Sequence, residues 1–366
     1  MKIVCTQENL KQGLATVGRI ISSSNTLPIL NNILIKTENG QLKISSTNLE
    51  IAITTHVRCK VEEEGEITVA SKTIIDLVNN LPNKNITLQS AHNEVEVETE
   101  NYHTSIKTLP AEEFPLIPQM ENENIISLDS QELKNALNQV VFAVSTNQTQ
   151  PEISGILFKL EGETLKVTAT DRYRLAEKKI ALKEKFLTPR EVILPQKTAV
   201  ELSRIIGSQK GVVEISFNET QTSLCFNETQ IISRLIDGQY PPYEQIIPTS
   251  FNSRVFTEKQ PLINALRAGA IFSQGTNSVK LEYDSEKQVL ILVSESAELG
   301  KSVVDLPSKV EGPSGSVVLN HHYILDCLSN IETAGVEMKI IDDSAATLIL
   351  PEGKNDYIYL VMPIKS

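Results

Sequence analysis

Apolar positions along this chain fall into two alternating rhythms, and the whole alternation occurs three times. At helical spacing, the segments LKQGLATVGRII (10–21), LKNALNQVVFAVS (133–145) and LINALRAGAIFS (262–273) each gather their leucines and valines on one side. A second helical segment recurs as SKTIIDLVNNL (71–81), PQKTAVELSRII (195–206) and NHHYILDCLSNI (320–331). In it Asp76, Glu201 and Asp326 align at intervals of 125 residues, 201 − 76 and 326 − 201. A period that long marks a triplicated domain, not a solenoid of shorter units.

Between the helices the rhythm changes to alternation. ILIKTENGQLKIS (33–45) carries Asn39-Gly40 between alternating apolar residues, the chemistry of a two-residue hairpin, and ILFKLEGETLKVTAT (156–170) and VKLEYDSEKQVLILV (279–293) stand in the equivalent places. Residues 95–100 alternate valine or threonine with glutamate, which predicts a strand with one buried face and one solvated face. TLPAEEFPLIPQMENEN (108–124) and LIDGQYPPYEQIIPTS (235–250) are too rich in proline for helix or central strand, and predict extended linkers anchored by Phe114 and Tyr240. The expected architecture is α+β: three repeated domains, 1–124, 125–250 and 251–366, each with antiparallel sheet and two helices.

Composition adds where the chain belongs. No apolar run approaches the roughly 20 residues of a membrane span, and the opening MKIVCTQENLK lacks the core of a signal peptide, so a cytoplasmic protein without membrane contact is expected. Cys5, Cys59, Cys225 and Cys327 are far apart and form no CxxC pair, which predicts idle thiols and neither a metal site nor a disulfide framework. The net charge of −12 argues against a polyanionic partner until its distribution is considered. Within residues 8–21, 71–81, 131–145, 195–206, 258–273 and 320–331 bases exceed acids by two, leaving −14 for the rest of the chain. The polar sides of those segments present Lys11, Arg19, Lys72, Asn79, Lys134, Gln139, Lys197, Arg204, Arg267, His321 and His322, a mixture of amides and bases with few carboxylates.

Catalytic motifs are weak. Gly300-Lys301-Ser302 imitates the end of a phosphate-binding loop, but Glu295 stands where that loop needs glycine. His321 and His322 are adjacent and cannot share one metal from a helix, so they are expected to be polar, mildly cationic surface residues. No acid, base and nucleophile break the repeat as a constellation, so a binding role without cofactor is expected, not catalysis. A protein-binding scaffold of three α+β domains that never touches DNA is the alternative.

Several motifs, taken in order, resemble one family along the whole chain. They are Thr26-Leu27-Pro28-Ile29-Leu30, Thr47-Asn48-Leu49-Glu50, the stretch 108–115, Thr170-Asp171-Arg172-Tyr173-Arg174-Leu175-Ala176, Asp237-Gly238-Gln239-Tyr240-Pro241 and Val361-Met362-Pro363-Ile364. They resemble the bacterial DNA polymerase III beta subunits, the sliding clamps. The resemblance implies a ring-shaped homodimer, its helices lining the ring, that encircles duplex DNA at the bacterial nucleoid. It also implies tethering of the replicative polymerase, with the clamp loader and repair proteins as further partners. Elementary geometry agrees: three domains of this size, each about 35 Å across, leave a hole of only about 5 Å, whereas six leave about 35 Å.

The resemblance also assigns residues. Lys11, Arg19, Lys72, Asn79, Lys134, Lys197, Arg204 and Arg267 would face DNA. Thr104, Ile106 and Lys107 would meet Ile271 and Phe272 of a second copy. Ile153, Thr170, Arg172, Arg174, Leu175, Pro241, Ile246, Asn320, Tyr323, Val361, Met362, Pro363 and Ile364 would form an apolar pocket for partner peptides, an Arg or Asn orienting the peptide backbone. The chain departs from relatives at Ser24, Gln245 and the terminal Lys365-Ser366, which would weaken one DNA contact and alter peptide preference.

Overall fold

The computed structural model describes residues 1–21, 27–118, 120, 125–147, 149–273 and 275–364. Among the described residues six α-helices form where the helical rhythm predicts them: α1 (Gln7–Val17), α2 (Ser71–Asn80), α3 (Ser130–Val141), α4 (Gln196–Ile206), α5 (Lys259–Ala270) and α6 (His321–Asn330). Short polar side chains set the starts of α1 and α6. Thr6 accepts the Asn9 N–H at 3.3 Å to cap α1, and Asn320 Oδ1 accepts the His322 N–H at 2.9 Å to cap α6. Leu10, Leu14 and Val17 of α1 are buried, as are Ile74 and Val78 of α2, each contributing about 1.5–3 kcal/mol by leaving water.

The chain packs into two compact units that do not follow the repeat. One comprises Met1–Lys134 with Lys197–Leu235, and the other Asn135–Gln196 with Ile236–Ser366. The cause is strand pairing between repeats. In the first unit, Ile51–Val57 of the first repeat pairs antiparallel with Thr229–Arg234 of the second, Ile51 facing Ser233, within a 13-stranded sheet. In the second unit, Arg174–Pro195 of the middle repeat pairs with Tyr357–Val361 of the third, Arg174 facing Val361, within a seven-stranded sheet. A further four-stranded sheet runs Gly300–Pro307, Val289–Ser296, Ser278–Asp284, Gly315–Asn320.

One turn is made three times from different residues. Asn48 Oδ1 accepts the N–H groups of Glu50 and Ile51, Asp171 Oδ1 those of Tyr173 and Arg174, and Ser296 Oγ those of Glu298 and Leu299. In the first two copies a non-glycine residue takes the left-handed conformation, Leu49 at φ 73° and Arg172 at φ 79°. The hairpins at 33–45 and 279–293 form, Asn39 and Gly40 having φ of 52° and 74°. Residues 155–170 instead run as one strand, with Gly162 at φ 60° and a register shift against Arg174–Pro195 on each side of it.

Both linkers are anchored by their aromatics, Phe114 and Tyr240 being buried. In the second unit the anchoring goes deeper. Tyr240 and Tyr243 join a core of Ile153, Leu157, Leu175, Ile193 and Leu360. The Tyr243 hydroxyl donates to buried Glu177 at 2.6 Å and accepts from Thr168 at 3.2 Å.

His321 corrects an expectation. It is 3% exposed, donating Nδ1–H to the Asn277 carbonyl at 2.8 Å with Ser273 Oγ at 3.3 Å, so only His322 lies on the surface. Burial, followed by the opposing Asn277 bond and the adjacent His322, holds the imidazole below its ordinary pKa of 6.5. The folded chain therefore resists a proton that the unfolded chain accepts. Stability should be intact above pH 6.5 and decline as pH falls through that value toward the lower folded pKa. Urea midpoints measured at pH 7.5 and 5.5 should differ less in a His321→Asn variant than in the parent; an equal difference in the two proteins would contradict this.

Candidate partner-binding surface and nucleic-acid interface

Around the turn at 170–174 the second unit assembles a polar clasp over an apolar floor. Thr170 Oγ1 donates to the Arg174 carbonyl at 2.7 Å and accepts the Arg172 N–H, fixing the left-handed turn. Arg174 then spreads its guanidinium over three acceptors: Nε to Asp171 at 2.9 Å, one terminal nitrogen to Asp326 at 2.5 Å and the other to the Phe142 carbonyl at 2.7 Å. Its charge also sits 4.5 Å from the Tyr323 ring centroid. Burial opposes that charge, but Tyr359, Asp326 and Asp171 outweigh it, so Arg174 holds its proton more tightly than usual. The C-terminal segment is pinned beside the clasp. Met362 N–H donates to the Tyr173 carbonyl and Ile364 N–H to Val318, both at 2.8 Å.

The residues assigned to a peptide pocket separate by depth. Ile153, Thr170, Leu175 and Val361 are buried and form the floor. Arg174, Asn320, Tyr323, Pro363 and Ile364 are half-buried, while Arg172, Pro241, Ile246 and Met362 are exposed. Arg174 is committed inside the chain and Asn320 Oδ1 caps α6, so Arg172 is the arginine presented outward. Sequence reasoning missed Tyr173, which is 63% exposed between the two arginines and whose carbonyl accepts the N–H of exposed Met362. It also missed Asp326, although the alignment with Asp76 and Glu201 had singled that position out. The three aligned acids have unlike surroundings: Asp76 is exposed, Glu201 is buried against Arg204, and Asp326 holds Arg174. Lys365 and Ser366 lie outside the described residues, as does Ser24; Gln245 is exposed.

Of the bases assigned to DNA, Lys11, Arg19, Lys72, Lys197, Arg204 and Arg267 are exposed, as is Asn79. Lys134 is half-buried because its Nζ donates to the Gly207 carbonyl at 2.5 Å and closes the end of α4. Gln139, expected on the polar side of its helix, is instead 8% exposed and donates to the Asn330 carbonyl. Among the residues assigned to self-association, Ile271 is 57% exposed and Lys107 is exposed, whereas Thr104 and Phe272 are half-buried. Ile106 is 7% exposed, facing the core from its strand. Burial raises the Cys5 thiol to about 12 and that of Cys327 further still, which leaves both unreactive. Among the described residues no His, Cys, Asp and Glu cluster could hold a metal ion, and no helix is long and apolar enough to cross a membrane.

Arg174→Ala would leave Asp171, Asp326 and the Phe142 carbonyl without their shared donor. It should cost about 2–3 kcal/mol in chemical unfolding, and Arg174→Lys should recover less than half because an ammonium cannot span the fork. Full recovery by lysine would contradict the clasp.

Comparison with known proteins converges on one family. Residues 1–118 match the N-terminal domain of the DNA polymerase III beta subunit, 127–242 its central domain and 244–365 its C-terminal domain. The beta sliding clamp of Synechocystis sp. PCC 6803 is 28% identical over all of this chain and 99% of its own, and that of Bacillus subtilis is 27% identical over the whole of both. The crystal structure of the Bacillus subtilis DNA polymerase sliding clamp superposes with a TM-score of 0.96 at 26% identity, covering 100% of this chain and 99% of its own. That of the Pseudomonas aeruginosa clamp bound to griselimycin gives 0.95 at 26% identity over the whole of both chains. With three consecutive domain matches, whole-length relatives and the same fold, this chain belongs to the DNA polymerase III beta subunit family, the beta sliding clamps.

Proposed function

We propose that two copies of this chain close head to tail into a ring around duplex DNA and act, without catalysis, as the processivity clamp of a replicative polymerase. The observation that carries this reading is a pair of open sheet edges. Each repeat has a strand after the turn described above and a last strand after its second helix. Ile51–Val57 is matched by Thr229–Arg234, and Arg174–Pro195 by Tyr357–Val361, in equivalent register. The remaining members of the two series are Gly300–Pro307 and Tyr102–Leu109. Among the described residues Gly300–Pro307 pairs only with Val289–Ser296. Tyr102–Leu109 pairs with Glu94–Thr99, and Thr108 and Leu109 alone reach Glu66–Ala70, so 102–107 has one side without a strand among the described residues.

Unpaired edges recruit strands, and here the recruit of matching geometry is a second copy. Carrying over the register sets Tyr102 opposite Val303 and Ile106 opposite Leu299. Tyr102, Val303 and Leu299 are 49%, 55% and 53% exposed, and Ile271 supplies further uncovered apolar surface. The three clamp domains, 1–124, 125–250 and 251–366, then contribute six domains per ring.

The exposed Lys11, Arg19, Lys72, Lys197, Arg204 and Arg267, with Asn79 and the half-buried Lys134, suit scattered phosphate contacts that carry no sequence information. Acidic residues elsewhere disfavour DNA on other surfaces. The surface formed by Tyr173, Arg172, Ile246 and Met362 suits short peptides of the polymerase, clamp loader and repair proteins, replication partners met at the nucleoid.

Purified protein should sediment at twice the chain mass, and Ile271→Asp with Val303→Asp should halve it. Loaded onto nicked circular DNA, the parent should be retained and then released when the circle is cut, whereas the doubly charged variant should not be retained. Tight binding to short linear duplex at moderate salt would contradict sliding, and no DNA retention by an intact dimer would favour a scaffold. Removing Met362 to Ser366 should abolish polymerase stimulation and leave the dimer; unchanged stimulation would overturn the peptide surface.

A further inference from the structure

The first two repeats use the same sheet surface differently. In the second repeat the linker inserts Tyr243 and Glu244. Tyr243 reaches Thr168 and Glu177, and Glu244 bridges two lysines, Lys159 at 3.3 Å and Lys166 at 2.6 Å. In the first repeat the same sheet positions recur 123 residues earlier, 168 − 45: Ser45 for Thr168, Thr54 for Glu177, Lys36 for Lys159 and Lys43 for Lys166. The linker positions recur 126 residues earlier, 240 − 114, and there the plug is missing. Ile117 stands for Tyr243 and Pro118 for Glu244.

What remains is a groove of 730 Å³ lined by both lysines, both hydroxyls and the linker. At its base Ser45 and Thr54 bond each other at 3.0 Å, in place of the tyrosine hydroxyl that joins the equivalent pair. Lys36 contacts Glu66 at 2.8 Å and Lys43 contacts Glu38 at 2.9 Å. Among the described residues no third carboxylate bridges the two lysines, and the Lys36 side chain is 43% exposed against 21% for Lys159. Leu116, also lining the groove, is 97% exposed.

We infer that this groove is a second peptide-docking site, on the first repeat, which accepts from a partner protein a tyrosine followed by an acidic residue. The tyrosine ring would lie where Ile117 is too short to reach, its hydroxyl meeting Ser45 and Thr54, and the carboxylate would bridge Lys36 and Lys43. Shape and charge both come from the second repeat, which holds the same dipeptide in its own chain. All groove residues belong to the first compact unit, so the site shares no residue with the surface around Arg172 and Met362.

The test uses the full chain with labelled methyl groups and a capped Pro-Pro-Tyr-Glu-Gln peptide, whose sequence is that of residues 241–245. Titration should shift the Leu34 and Ile232 methyls, which line the groove, in a saturable way. Replacing the peptide's tyrosine by alanine, or Lys36 and Lys43 together by methionine, should weaken binding about tenfold or more. The variant Ile117→Tyr with Pro118→Glu carries the plug in its own chain and should lose the response while unfolding at a higher temperature. Absent shifts up to the solubility limit would overturn the proposal, as would shifts that survive both the methionine and the plug variants. Groove methyls that move in the unliganded protein when Glu121 and Glu123 become glutamine would also overturn it, by making the occupant the chain's own linker.

Discussion

A β-strand cannot leave its backbone donors and acceptors unmatched at no cost, and this molecule is organised by where each repeat sends its last strand. Instead of closing on its own repeat, Thr229–Arg234 joins Ile51–Val57, and Tyr357–Val361 joins Arg174–Pro195. Sequence repeats and compact units therefore divide the chain differently, the middle repeat being shared between two units. The same rule leaves one strand of each series unmatched, at opposite repeats, and thereby sets what a second copy has to supply.

Local features were legible because local chemistry dictates them. The six helices follow their apolar spacing, Asn39-Gly40 turns a hairpin because both residues tolerate positive φ, and the proline-rich linkers hang from Phe114 and Tyr240. Long-range partners were not legible. Nothing near His321 in sequence announces Asn277 and Ser273, and nothing near Arg174 announces Phe142 or Asp326. The threefold alignment did mark Asp326, but position within a repeat does not fix role, since Asp76 and Glu201 at the same place meet water and Arg204. The family resemblance assigns candidate residues without their depth, and the structure shows the Arg174 guanidinium bonded within the chain to Asp171, Asp326 and the Phe142 carbonyl.

Divergence between copies divides the labour. What the repeats hold in common is the sheet, the turn and the pair of helices with their amide-rich and basic outer sides. What differs is how each linker and each turn is finished. Arg174 appears where the first repeat has Ile51, and ties the turn to α6. Tyr243 and Glu244 fill a space that Ile117 and Pro118 leave open. Exposed apolar residues mark these unfinished places: Tyr102, Leu299 and Val303 at the open edges, Ile271 at the end of α5, Tyr173 and Met362 around the clasp, and Leu116 at the groove. An uncovered apolar side chain is ordinary when single, but a cluster at an incomplete element points to a partner.

The central claim is that the two open edges pair with each other between copies, in the register of the pairings already made within the chain. Its most direct measurement is oxidative trapping of a Thr104→Cys, Lys301→Cys variant, with each single substitution as a control for the four native thiols. That register places the two positions opposite one another. The double variant should become a covalent species of twice the chain mass under denaturing conditions, one that stays on circular DNA through denaturation, while the single variants remain uncoupled. A double variant that stays at single-chain mass, while the native protein sediments as a dimer, would contradict the pairing.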